Sequence, residues 1–280
     1  MNISKHKNKK EKLLFIENKK YKLQIPLDYG IRISSLKLKN SNFNFLASGV
    51  NVEKRVGNEK WKLRGGHRLW HTPESFPRTY LPDNRSIEYK LNDKTLILSQ
   101  KLNDKTKVKK EIHIKFIENG KKIQLDHFII NKGMWPIETA AWAITMMNSG
   151  GKAVVPLNNN KKEYLSTKSF SVWPYCSLAD KRIEFKEDEF LINQDINNSK
   201  SFKIGTNNNR GFAKYIYKDY IFKKEFDYIE NKKYPDKGCN FELYTNDKFL
   251  ELESLSYKRK VYPQDHIKHR EIWSIGEKNE

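Results

Sequence analysis

The chain has 280 residues, of which 37% are hydrophobic and 12% aromatic, with a formal net charge of +20. This length supports one large domain with a substantial core, and the 15 Phe, 14 Tyr and 6 Trp bury large areas each. No apolar run approaches the ~18 residues of a membrane-spanning helix, and the two cysteines, Cys176 and Cys239, supply neither a disulfide framework nor a metal cluster.

The opening segment, MNISKHKNKKEKLLFIENKK, is basic but lacks the apolar stretch of about 7–15 residues that a secretion signal needs. Residues 1–11 are expected as a basic flexible tail, and a reduced, cytoplasmic protein is the simplest reading. Residues 12–280 then read as a single domain built from strands. YKLQI at Tyr21–Ile25, TLIL at Thr95–Leu98, EIHIKFI at Glu111–Ile117 and IQLDHFI at Ile123–Ile129 alternate or are β-rich. FAKYI at Phe212–Ile216 and FLELE at Phe249–Glu253 continue the pattern. Between them stands turn chemistry: LNDKT at Leu91–Thr95 and again at Leu102–Thr106, Asn119-Gly120, Asn131-Lys132-Gly133, Ser149-Gly150-Gly151, and Asn triplets at 158–160 and 207–209. The repeated LNDKT predicts two hairpin corners, not a solenoid period. No amphipathic helix of four turns stands out. The fold class expected is all-β, an antiparallel sandwich.

Two regions concentrate residues that could do chemistry. The first, LRGGHRLWHTPESFPR at Leu63–Arg78, places Arg64 before a glycine pair, with His67, Trp70 and His71 after it. A helix would set His67 and His71 on one face for a metal, but the glycines, Pro73 and the lack of a Glu between them argue against it, and no metal is expected. The glycines instead let the backbone bend, so that Arg64 and the following side chains point into one cleft. The competing reading is a rim loop with a packed Trp70.

The second region runs from YPDKGCNFELYTN at Tyr234–Asn246 into FLELES at Phe249–Ser254. In a strand, Glu251 and Glu253 share one face, and Leu250 and Leu252 take the other. Those carboxylates either face water or line a polar cleft in which one serves as a general base, with Glu242 on the preceding strand beside them. Trp61, Trp70, Trp135, Trp142, Trp173, Tyr175 and Trp273 either pack the sandwich or give sugar rings faces to stack on.

These residues resemble the galactose-mutarotase-like superfamily, which includes the aldose 1-epimerases, and particularly a poorly characterised bacterial branch. LRGGHRLWHTPES is similar to the family's Arg-Gly-Gly segment, and NKGMWPIETAAWAITMM to its central strand pair. FKIGTNNNRGFAKY, YPDKGCNFELYTNDKFLELESLS and HREIWSI resemble signatures of the branch, and Glu17-Asn18 with Ile31-Arg32-Ile33 its opening strands. The resemblance implies a β-supersandwich with a concave face that holds a sugar. Separately, the positive charge would suit a sugar phosphate, since Arg and Lys at a cleft rim match phosphate. The resemblance also implies acid–base ring opening at the anomeric carbon without metal or nucleotide cofactor. The base maps to Glu251 or Glu253, and the substrate-contacting arginine to Arg64. The family's two site histidines have no counterpart, because their regions read SFPRTY and AAWAIT here. His67 or His71 would have to substitute for the general acid.

The first hypothesis is therefore a mutarotase-like carbohydrate binder, with epimerase activity, whose cleft holds Arg64, His67, His71, Trp142, Glu242, Glu251 and Glu253, with Lys224 and Asp236 adding hydrogen bonds. The second is a sugar-recognition module without turnover, favoured by the missing histidines. A basic nucleic-acid or anionic-surface binder is the third. Against it, the excess charge is mostly Lys, spread along the whole chain among many Asn.

Overall fold

The alternating segments fold as strands with one buried face because that is the arrangement their period of two allows. The computed structural model describes residues 1–7, 11–103, 105–158 and 164–278. Along Lys122–Asn131, Ile123, Leu125, His127 and Ile129 all point inward, and on the neighbouring Val108–Ile117 strand Ile112 and Ile114 meet them. Asn119 and Gly120 turn the chain between these strands with φ of 55° and 85°, as an Asn-Gly pair can at little cost. Asp93 does the same in the first LNDKT, with φ 51°. Asp104 of the second LNDKT, residues 159–160 of the first Asn triplet and residues 8–10 of the expected tail lie outside the described residues.

Two large antiparallel sheets dominate. One has ten strands, in the order 183–185, 189–193, 152–156, 212–217, 220–226, 266–277, 122–131, 108–117, 95–99 and 88–92. The other has seven, in the order 170–172, 202–206, 241–245, 250–255, 141–147, 67–71 and 32–33. One apolar cluster runs between them, with Leu250 and Leu252 from the smaller sheet and Leu125, Phe222 and Trp273 from the larger. Each such fully buried side chain contributes about 1.5–3 kcal/mol. The only α-helical segment among the described residues is the single turn Pro235–Gly238, and no helix is long and apolar enough to cross a membrane. All-β, antiparallel and layered, the architecture is the one the alternation predicts.

The amino terminus differs from expectation. Asn2–Lys7 is not a loose tail but a strand, paired antiparallel with Lys12–Glu17 at the edge of a separate four-stranded sheet. Ile3 supplies the reason, since it packs against the apolar cluster while its neighbours stay polar.

Candidate functional site

The site begins at the glycine pair. Gly65 and Gly66 both take positive φ, 72° and 73°, and a Cβ on them would lie 2.3 Å from the carbonyl oxygens of Ala47 and Ile33 respectively. Only glycine fits there. Past this kink the strand His67–His71 lies beside Ala141–Met147, which in turn lies beside Leu250–Leu255. In register, Ile144 faces Arg68 on one side and Glu253 on the other, and Met146 faces Glu251. The two dense regions of the sequence therefore flank one central strand.

Strand alternation then sorts the side chains. Arg68 and Trp70, Trp142 and Ile144, Glu251 and Glu253, Tyr244 and Lys203 all open onto a cleft of about 640 Å³ on the outer face of the seven-stranded sheet. Trp61, Tyr80, Trp173 and Tyr175 build its walls. Four of the six tryptophans thus line it. Such a broad, aromatic-walled hollow with a few charged groups at its base suits a small polar ligand with apolar faces.

The floor is charged and ordered. Arg68 Nη1 donates to Glu251 Oε1 at 3.0 Å, and the guanidinium lies 4.7 Å from the Trp70 ring centre. Lys203 Nζ sits 2.9 Å from Glu253 Oε2 and 2.8 Å from Glu242 Oε2, with the Trp142 and Trp173 rings each 4.7 Å away. Trp142 Nε1 donates to the same Glu253 oxygen at 2.7 Å. Burial alone would lower the Lys203 pKa, but Glu253 and Glu242 outweigh it and hold the ammonium well above its ordinary value. Burial pushes the Glu251 carboxyl up, against the pull of Arg68. Glu242, directly opposite Glu253 in the register and beneath Lys203, is pushed up further by burial.

Several expected site residues lie elsewhere. His67 and His71 share the opposite strand face from Arg68 and Trp70, so both point away from the cleft. Lys224 lies between the sheets, fully buried, with Nζ 2.8 Å from Glu271 Oε1 and donating to Thr145 Oγ1 and the carbonyls of Ala143 and Leu252. Arg64 precedes the kink; its Nη2 donates to Asn84 Oδ1 at 2.6 Å and its guanidinium covers Tyr29 at 4.0 Å. Asp236 sits in the Pro235–Gly238 turn, where its carbonyl accepts from Ser171 Oγ. Glu242 supports the floor through Lys203 without lining the cleft. Glu251, Glu253 and Trp142 line the cleft together.

Arg68 and Lys203 were missed. Arg68 has the signal of a strand residue two before Trp70, overshadowed by the more conspicuous Arg64. Lys203 is the one charged residue of FKIGT, flanked by the buried Phe202 and Ile204. A lysine in an otherwise apolar strand needs a buried acid nearby.

Behind the cleft, a polar chain crosses the sandwich. His127 Nδ1 donates to the His269 carbonyl at 3.0 Å, which leaves its Nε2 to accept from His67 Nε2 at 2.7 Å. His67 Nδ1 then accepts from Thr145 Oγ1 at 2.9 Å, and Thr145 accepts from Lys224. His269 Nε2 meets Ser254 Oγ at 2.7 Å, and Ser254 and Trp273 donate to Glu271. Burial lowers the pKa of all three imidazoles, His269 to about 3. Burial would raise Glu271, but Lys224 and the three histidines keep it below the ordinary carboxylate range. His67, His127 and Glu271 place donor atoms within 4.8 Å of one another, the spacing of a metal site. Each donor already has a protein partner, and the Lys224 ammonium holds the acid, so the set fits a closed hydrogen-bond chain better than a cation.

No protein-family model matches the chain, and no curated protein matches it. Solved structures do. A provisionally named mutarotase from Salmonella typhimurium superposes with a TM-score of 0.64 at 12% identity, covering 99% of this chain and 94% of its own. A galactose mutarotase-like protein from Lactobacillus casei gives 0.57 at 10% identity, over 94% and 100%. A provisionally named aldose 1-epimerase from Escherichia coli gives 0.56 at 10%, over 99% and 100%. At such identities the likeness carries the architecture, and it spans nearly the whole chain. The fold of this protein is the galactose mutarotase-like β-sandwich.

Proposed function

We propose that the cleft binds a carbohydrate and exchanges its anomers by ring opening. The observation that carries this reading is the pair of carboxylates, Glu251 and Glu253, on the floor of an aromatic-walled cleft. Their surroundings differ. Glu253 accepts hydrogen bonds from Trp142 and Lys203, while burial favours the protonated form of Glu251. Glu253 is then the base that removes the proton of the anomeric hydroxyl. As the new C1 carbonyl forms, the bond from C1 to the ring oxygen breaks, and that oxygen takes a proton from Glu251. Rotation about the C1–C2 bond and the reverse transfers close the other anomer. Glu251 replaces His67 as the acid in this scheme, because His67 faces the sandwich interior.

The test is NMR exchange between anomers across a panel of free and phosphorylated sugars. Acceleration by the protein, lost in Glu253→Gln and Glu251→Gln while sugar binding persists, is expected. Binding with no acceleration in the unaltered protein would leave a recognition module without turnover. Two observations favour that second reading: both acids are ion-paired, and among the described residues no histidine lines the cleft.

A further inference from the structure

A second, smaller cavity of about 40 Å³ lies at the free edge of the seven-stranded sheet, under the loop around residues 78–83. Four cations border it: Arg32, Arg68, Arg78 and Lys110. The acid available, Asp83, is taken by Arg32 at 2.5 Å, and Glu251 on the cleft side takes Arg68. Arg78 donates to the Pro73 carbonyl and has no carboxylate within ion-pair distance among the described residues. Lys110 has no carboxylate within ion-pair distance among the described residues. The Arg68 Nε is buried and has no hydrogen-bond partner. His71, whose ring borders the same space, is held neutral by burial and by the field of Lys110 and Arg78.

So many like charges around one small hollow repel one another, and a bound anion would relieve that repulsion. The mutual strain is legible at Lys110, where burial, with Arg78, Arg32 and Arg68 acting against Asp83, brings the ammonium down to about 8. The cavity is small beside the cleft of about 640 Å³, which favours a compact ion over a four-oxygen oxyanion. We propose that this cavity is a binding site for a single halide-sized inorganic anion, held by Lys110, Arg78 and Arg68. The site is separate from the carbohydrate reading. It stands or falls without it, although Arg68 borders both spaces.

Thermal unfolding in sodium chloride, sodium bromide, sodium gluconate and sodium phosphate at equal ionic strength tests the proposal, with Lys110→Met alongside. Chloride and bromide should raise Tm by about 3 °C over gluconate at ten times the dissociation constant. Lys110→Met should fold with unchanged or higher Tm in gluconate and lose that halide increment. A crystal grown in bromide should show its anomalous peak between Lys110 and Arg78. Equal Tm in chloride and gluconate, an increment that survives Lys110→Met, a benefit from phosphate alone, or an empty cavity in bromide would each overturn it.

Discussion

Lys203 shows how much of the site rests on a single side chain. It pairs with Glu253 and Glu242 at once, and two aromatic rings close over it. Lys203→Met would leave two opposed carboxylates buried with no cation between them. The expected loss is about 3–5 kcal/mol in urea-induced unfolding, with partial recovery in Lys203→Met/Glu242→Gln. Were the single variant as stable as the parent, the floor would not depend on this charge. At this scale the sequence was only partly legible. Alternation alone put Glu251 and Glu253 on one face, because a strand fixes which residues share a face, but not whether that face meets water or a cleft. Arg64 drew attention through its glycines, yet the residue that reaches an acid of the cleft is Arg68, four positions on. The pairing of Lys203 with Glu253 joins positions fifty apart, and no local pattern encodes it.

Among the elements, the strand His67–His71 shows why a kink matters more than composition. Two left-handed glycines set its phase, and the phase decides that arginine and tryptophan face outward while both histidines face inward. A one-residue slip would exchange the faces. Gly66→Ala should therefore cost at least ~2 kcal/mol in stability, since its Cβ would press on the Ile33 carbonyl at a φ that alanine resists. It should also weaken the proposed sugar binding out of proportion, as titration calorimetry would show. An alanine variant that melts and binds like the parent would remove the kink from the account. The turns and the strand character were readable from Asn-Gly pairs and alternation. The N-terminal strand was not, because its polar residues resemble a solvated tail and only Ile3 betrays the pairing.

Across the whole molecule, the buried chain from Lys224 to His127 ties the ten-stranded sheet to the seven-stranded one. His67, His127 and His269 have depressed pKa values in the fold and ordinary ones, near 6.5, once unfolded. Below that value the unfolded chain binds more protons, so stability is full above about pH 6.5 and falls as pH drops toward 3. Glu271, depressed in the fold, adds a loss in the same direction below about pH 4.5. With all three imidazoles involved the slope approaches ~4 kcal/mol per pH unit, measurable by urea unfolding between pH 4 and 7. A flat profile would mean that the imidazoles are not held neutral. The large positive charge has a different meaning at this scale. It is distributed along the chain, so retention on heparin should be weak and should carry little of the steep salt dependence of a phosphate-reading surface. The overall architecture was legible because alternation and turn residues recur throughout. The network was not, since histidines forty or more residues apart meet only after the sheets stack.

The tryptophans around the cleft carry one more consequence. The indole N–H of Trp142 is tied to Glu253, and Trp61, Trp70 and Trp173 stand close by. Any molecule settling among them changes the polarity those indoles sense, so the protein reports its own occupancy through its ultraviolet emission. The dye-free signal makes broad chemical libraries searchable without labelling either party.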